Sequence, residues 1–263
     1  MTANRFFVPL ESIQGDRVSI TGNLVHQLCH VLRMQPGDQV TLLDDSGWEY
    51  QVELEGVGKD RASGRVRRKT LATGEPRTKI TLYQGVLKGH HLEWVWQKGV
   101  EVGIVEFVPV ICERCLVSSL DDISAAKAAR WKRIIQEAAE QSHRGRIPQL
   151  QPPMLFSQAC DHTRRGGLNL MLWEEEAQHT LRSLLGMEEQ NAEPKPGAHP
   201  QDTRRPFSVG LFVGPEGGLT REEVELARGY GIRTLTLGKR ILRAETAGLV
   251  AAALVLHEFG DLG

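Results

Sequence analysis

Apolar positions change rhythm part-way along the chain. Over residues 1–74 they come in short alternating runs. Val18 and Ile20 flank Ser19, Val40, Leu42 and Leu43 surround Thr41, and Tyr50, Val52 and Leu54 alternate with Gln51 and Glu53. Such alternation predicts half-buried strands, at 18–20, 39–43 and 50–54. Turn residues punctuate them at Gly15-Asp16, Pro36-Gly37-Asp38 and Asp45-Ser46-Gly47, and one helix is predicted over 23–34. Closely spaced short strands with turns between them predict a small β-barrel. The stretch 72–76, Ala-Thr-Gly-Glu-Pro, reads as its exit linker.

Beyond Pro76 the segments lengthen and strands alternate with helices. Strands are predicted at 79–86, 167–173, 208–213 and 234–237, and a further apolar run covers 104–110. Helices are predicted at 91–102, 124–142, 221–228 and 245–259. In the second of these, Ala128, Trp131, Ile134, Ile135 and Ala138 share one side. This alternation predicts an α/β domain, a mostly parallel sheet covered by helices. The segment 186–206 breaks it: polar, with Pro194, Pro196, Pro200 and Pro206, it is expected to be a mobile loop.

Composition narrows the classes. With 263 residues and 40% apolar positions the chain suffices for two modest domains, divided here as 1–74 and 75–263. A net charge of −1 excludes a molecule that is basic over its whole surface, so contacts to a polyanion must come from local patches. In the first domain Lys59, Arg61, Arg65, Arg67, Arg68 and Lys69 cluster, with Arg5 and Arg33 as further candidates. The N-terminus has no signal-peptide core, and no apolar stretch approaches the ~18 residues a membrane span needs. Cys29, Cys112, Cys115 and Cys160 form no disulfide framework, so a cytoplasmic protein is expected. Cys112 and Cys115 lack a second pair at zinc spacing, and His26 with His30 lacks an evident third ligand. No metal is expected.

Three segments carry candidate chemistry. After the 208–213 strand comes Gly214-Pro215-Glu216-Gly217-Gly218-Leu219-Thr220, and Thr220 with Glu223 forms a capping box for the next helix. A glycine-rich turn at the carboxyl end of a strand lies where α/β sheets bind ligands, and its glycines let backbone approach closely. It is neither a dinucleotide fingerprint nor a phosphate loop. A second loop, Leu237-Gly238-Lys239-Arg240-Ile241-Leu242-Arg243-Ala244-Glu245-Thr246, again joins a strand to a helix. Two such loops can enclose a cofactor. The third segment ends the 124–142 helix: Glu140, Gln141, Ser142 and Arg144 are candidates to contact a base or a phosphate.

Together these motifs, with His26-x-x-x-His30-Val31-Leu32-Arg33-Met34-x-x-Gly37-Asp38, Lys98 with Gly103, and Glu113-Arg114-Cys115, closely resemble the ribosomal RNA small subunit methyltransferase E family of the SPOUT superfamily. The resemblance runs from about Arg5 to the C-terminus. It implies a PUA-like β-barrel over 1–74, followed by a SPOUT α/β domain with a C-terminal trefoil knot. It implies S-adenosyl-L-methionine as cofactor and methylation of N3 of one uridine in the decoding region of 16S rRNA, as substrate the assembled 30S subunit, and a homodimer. On this reading Gly214, Pro215, Glu216, Gly217, Gly218, Leu237, Gly238, Ile241, Leu242 and Thr246, with Leu172 and Trp173 from the end of the 167–173 strand, hold the methyl donor. Arg243 stabilises the uracil anion, Glu140 or Glu245 takes the N3 proton, and Arg5, Arg33, Arg65, Arg67, Arg68, Gln141, Ser142 and Arg144 contact RNA. Two departures stand out: the segment from Lys98 reads Lys-Gly-Val-Glu-Val-Gly where the family more often has Lys-Ala-Thr-Glu-Leu-Gly, and the 186–206 loop is longer than usual. A related enzyme acting on another RNA, at a base or a ribose 2′-hydroxyl, and a non-catalytic RNA-binding ribosome-assembly protein are the alternatives.

Overall fold

A computed structural model describes residues 4–185 and 206–263; the expected 186–206 loop lies outside them, Pro206 apart. The chain separates into two compact units, one of residues 1–75 with 136–147, the other of residues 76–135 with 148–263.

The first unit is built on six strands: β1 (Arg5–Phe7), β2 (Ile13–Gln14), β3 (Arg17–Thr21), β4 (Gln39–Leu43), β5 (Trp48–Val57) and β6 (Arg61–Leu71). They form one sheet in the order β1-β4-β5-β6-β3-β2, with β1 parallel to β4 and the rest antiparallel. Among the described residues β1 and β2 are not hydrogen-bonded to each other. The expected small, PUA-like β-barrel is thus an open, curled sheet, a half-barrel. Its inner face carries Ile20, Val40, Leu42, Val52, Leu54 and Ala62. The pattern missed β6 because its outward residues form a run of cations, while Ala62 and Gly64 alternate inward. Gly64 is required there: a Cβ would lie 2.6 Å from the Glu53 carbonyl oxygen on β5. The predicted 23–34 helix is only partly α-helical. After α1 (Asn23–His26) the chain widens into a π-turn in which Leu32 N–H donates to Gln27 O, and Arg33 then turns left-handed at φ 53°.

Residues 136–147 join this unit through specific bonds that a cut at 74 does not anticipate. Phe7 N–H donates to Glu140 Oε1 at 3.0 Å. Arg144, 3% exposed, reaches Glu75 through two hydrogen bonds, Nε to Oε1 and Nη2 to Oε2, each of 2.9 Å.

The second unit runs β7 (Lys79–Gly85), α2 (His91–Val102), β8 (Glu106–Ile111), α3 (Ala125–Gln141, whose end groups with the first unit), β9 (Gln149–Leu150), β10 (Met154–Leu155), α4 (Phe156–His162), β11 (Leu168–Leu172), α5 (Leu181–Leu184), β12 (Ser208–Val213), α6 (Arg221–Gly229), β13 (Arg233–Leu235) and α7 (Ala244–Glu258). The strands form a parallel sheet ordered β10-β8-β7-β12-β11-β13, with β9 also on β8. Pro152 and Pro153 separate β9 from β10, because proline cannot donate to a ladder. Ile80, Leu82, Val209, Leu211, Leu170 and Met171 are buried in the central strands, each contributing about 1.5–3 kcal/mol of burial. The departure at Gly99 has a packing cause: a Cβ there would lie 2.6 Å from the Phe107 ring, so the close approach of α2 to β8 needs glycine.

Candidate active site

Strands β7, β12, β11 and β13 all end on one edge of the sheet, and the segments leaving them build the site. The chain leaving β12 makes a tight turn, Gly218 N–H donating to Pro215 O at 2.9 Å, with Gly218 at φ 72°. Three neighbours fix this turn. Gly85, ending β7, lies so close that a Cβ would fall 2.6 Å from Pro215 N. Gln84 Nε2 donates to Gly214 O at 3.4 Å, and Arg114 Nη1 to Gly217 O at 2.9 Å. The turn then enters α6 through the capping box expected from sequence. Thr220 Oγ1 accepts from Glu223 N–H, and the Glu223 carboxylate accepts from Thr220 N–H and from Glu113 N–H.

The second loop leaves β13 and curls over Thr236, whose hydroxyl accepts from Gly238 N–H at 3.2 Å with Gly238 at φ 115°. Arg243 is the N-cap of α7, its carbonyl accepting from Thr246 and Ala247 N–H. A third segment follows β11, and its organiser is Glu176. This covered carboxylate accepts from Thr234 Oγ1 at 2.6 Å and from the Gln178 and His179 N–H groups. Burial alone would raise its pKa, but these donors outweigh it and hold it at about 2.

Between the three segments lies a cavity of about 910 Å³. Its walls are apolar at Leu172, Val213, Leu219, Leu235, Leu242 and Ala247, while Glu174, Glu176, Glu216 and Glu245 place four carboxylates around it. Lys239, Arg240 and Arg243 supply cations, and Ile241, 84% exposed, stands at its edge. Backbone groups, an apolar interior and carboxylates suit a ligand with an apolar part and positive charge.

An RNA methyltransferase domain model matches residues 74–256, and an RNA methyltransferase PUA domain model matches 20–67. Ribosomal RNA small subunit methyltransferase E of Bacillus subtilis is 33% identical over 257 residues, 97% of this chain and 96% of its own. The chain belongs to the ribosomal RNA small subunit methyltransferase E family. The Synechocystis member is also 33% identical, over 96% of this chain and 77% of its own. The crystal structure of the Neisseria gonorrhoeae member bound to S-adenosyl methionine superposes with a TM-score of 0.79 at 31% identity, covering 98% of each chain. A Legionella pneumophila methyltransferase in complex with the same cofactor gives 0.82, also at 31% identity and 98% of each chain. The fold of family members, a PUA-like sheet followed by an α/β methyltransferase domain, is the fold of this chain.

Of the residues expected to hold a methyl donor in this family, Leu172, Trp173, Gly214, Pro215, Glu216, Gly218, Leu237, Gly238, Ile241 and Leu242 line the cavity, as do Arg243 and Glu245. Gly217 and Thr246 do not: Gly217 turns its carbonyl to Arg114, and Thr246 lies in the first turn of α7. Glu140 is not among the lining residues either. It belongs to the first unit, where it accepts from Phe7 N–H and Gln136, and burial raises its pKa. Arg144, expected at RNA, is committed to its buried pair with Glu75, and Ser142 turns its hydroxyl to Ala138 O. Arg5, Arg65 and Arg67 pair with Glu49, Glu55 and Glu53, so three of the eight cations of the predicted basic patch are charge-balanced. Arg33, Arg68 and Gln141 are exposed. Sequence reasoning missed His91, Glu174, Glu176 and Thr180. The available signal was positional, since each follows the carboxyl end of a parallel strand.

Proposed function

We propose that this chain methylates N3 of a uridine in the decoding region of 16S rRNA, using S-adenosyl-L-methionine and acting on the assembled 30S subunit. The observation that carries the reading is the cavity walled by three strand-end segments in a member of this family. Its residues fit the donor: apolar walls for the adenine, backbone groups of 214–216, Gly218 and 237–242 for its polar edges, and carboxylates for its cationic sulfonium and ammonium groups. When bound, the donor supplies an electrophilic methyl group. The protein orients it against the base, and such alignment is worth up to roughly 7–11 kcal/mol. Arg243, at the cavity and heading α7, stabilises negative charge developing on the uracil ring. The target base leaves its stack to present N3.

The division of labour follows the two units: the first, residues 1–75 with 136–147, recognises RNA, with Arg33 and Arg68 among the contacts, and the second, residues 76–135 with 148–263, carries the reaction and the family's knotted C-terminal segment. A homodimer is supported by apolar surface on the second unit, where Trp94 of α2 and Leu254 of α7 are 44% and 40% exposed. The test is transfer of labelled methyl groups to unmethylated 30S subunits and to naked 16S rRNA, in parallel with donor binding by calorimetry. Transfer to 30S supports the reading. Donor binding without transfer to either would point to another RNA.

A further inference from the structure

Methylation at N3 of uracil requires the N3 proton to go somewhere, and the groups around the cavity differ in their freedom to take it. Lys239, Arg240 and Arg243 are donors only. The Glu176 carboxylate is occupied by a hydroxyl and two backbone N–H groups. Glu216 Oε1 accepts from Lys88 N–H at 2.9 Å. Glu140 lies outside the lining.

His91 is different. It is the first residue of α2, half-exposed, and it lines the cavity. Its Nδ1 stands 3.9 Å from Glu216 Oε1 and 4.0 Å from Glu245 Oε2. These carboxylates come from the two different donor loops, so the imidazole stands between both. The neighbouring His90 is engaged elsewhere, with Glu93. Other charged groups around the cavity are Glu174, Glu176, Lys239, Arg240 and Arg243.

At such separations the carboxylates act on the ring as charges, directly or through a water, and not as close hydrogen-bond acceptors. Two negative charges on the Nδ1 side favour the tautomer with its proton on Nδ1. That leaves the Nε2 lone pair for an incoming proton. A base oriented by a carboxylate on its other nitrogen is a recurring catalytic arrangement.

We propose that His91 is the proton acceptor for the uracil N–H, with Glu216 and Glu245 as its positioning residues. The inference rests on the uridine-N3 reading above. In the step, the N3–H bond breaks and its proton passes to His91 Nε2. The N3 electron pair forms the new N–CH3 bond, and the S–CH3 bond breaks with its pair left on sulfur, converting sulfonium to thioether. The imidazolium returns its proton to water after product leaves. Glu245, expected from sequence as an acceptor itself, becomes the group that orients one.

The test combines two readouts. In the apo protein, 15N imidazole NMR should find neutral His91 as the Nδ1–H tautomer, shifting toward Nε2–H in Glu245→Gln and Glu216→Gln. In single turnovers on 30S subunits, His91→Gln should bind donor normally by calorimetry, lose roughly 100-fold or more in rate, and lose the acidic limb of the pH profile. His91→Ala should regain rate with added imidazole. A His91→Gln enzyme at wild-type rate, an acidic limb that persists, no rescue by imidazole, or a loss of donor affinity would each overturn the assignment. A wild-type enzyme that makes no 3-methyluridine would instead defeat the underlying reading, which these variants do not touch.

Discussion

Removing Arg144 should damage stability first and catalysis only as a consequence. Its guanidinium is buried and makes a bidentate pair with Glu75, whose Oε1 also accepts from the Gly145 and Arg146 N–H groups. Breaking a buried pair by deleting one partner costs about 3–5 kcal/mol, because the remaining charge is left uncompensated. Glu75 keeps two backbone donors and its side chain is 17% exposed, so Arg144→Ala belongs at the lower end, about 3 kcal/mol. That is roughly a hundredfold in the folding equilibrium, read by urea denaturation of the first unit. Adding Glu75→Gln should recover part of the loss by removing the stranded charge. The pH dependence has a fixed sign. Burial pushes Glu75 upward, but the Arg144 hydrogen bonds and charge, with the two N–H groups, bring it below its ordinary value. Its contribution is therefore present above the unfolded carboxylate pKa of about 4.3 and is lost as pH falls through the lower folded value. Arg144→Ala should flatten that acid limb. An Arg144→Ala protein within about 1 kcal/mol of wild type, below any such penalty, but with weakened 30S binding would refute the reasoning and return Arg144 to the RNA surface.

Other perturbations separate the remaining parts. Gly85→Ala drives a Cβ into Pro215 and Gly214; an overpacking cost of about 1–3 kcal/mol should appear mainly as weaker donor binding by calorimetry. Glu176→Gln should loosen the segment after β11 and weaken donor binding. It should also remove stability that wild type holds at neutral pH and loses on acidification from the ordinary carboxylate range toward about 2, as acid-unfolding curves would show. Arg68→Ala should reduce the salt dependence of 30S binding by about one phosphate contact, whereas Arg67→Ala, whose partner is Glu53, should change it less.

The fold was largely legible because its signals are periodic. The parallel strands of the second unit read as apolar runs, since both faces of that sheet are covered, and the capping box at Thr220 and Glu223 marked the start of α6. What escaped was set by tertiary pairing. β6 looked like a charged surface run because its carboxylate partners lie on β5, distant in the pattern but adjacent in register. The 23–34 helix has helical spacing but widens to a π-turn before Arg33, which spacing cannot reveal. At the candidate site the glycine-rich loops were visible as motifs. His91 and Glu176 were not, because an ordinary His and one Glu of three in a row gain meaning only when strand ends converge. Arg144 was misleading for the opposite reason: beside polar neighbours at a helix end it looked like a surface cation, and only the fold brings Glu75 to it.

On the proposed function, the cavity between the β11, β12 and β13 segments serves base methylation at a uridine nitrogen. Its most direct test is chromatographic identification of the nucleoside labelled in 16S rRNA after reaction of 30S subunits with methyl-labelled S-adenosyl-L-methionine. The expected labelled product is 3-methyluridine, at a single position in the decoding region. A label in a 2′-O-methylated ribose, or in another base, would contradict it.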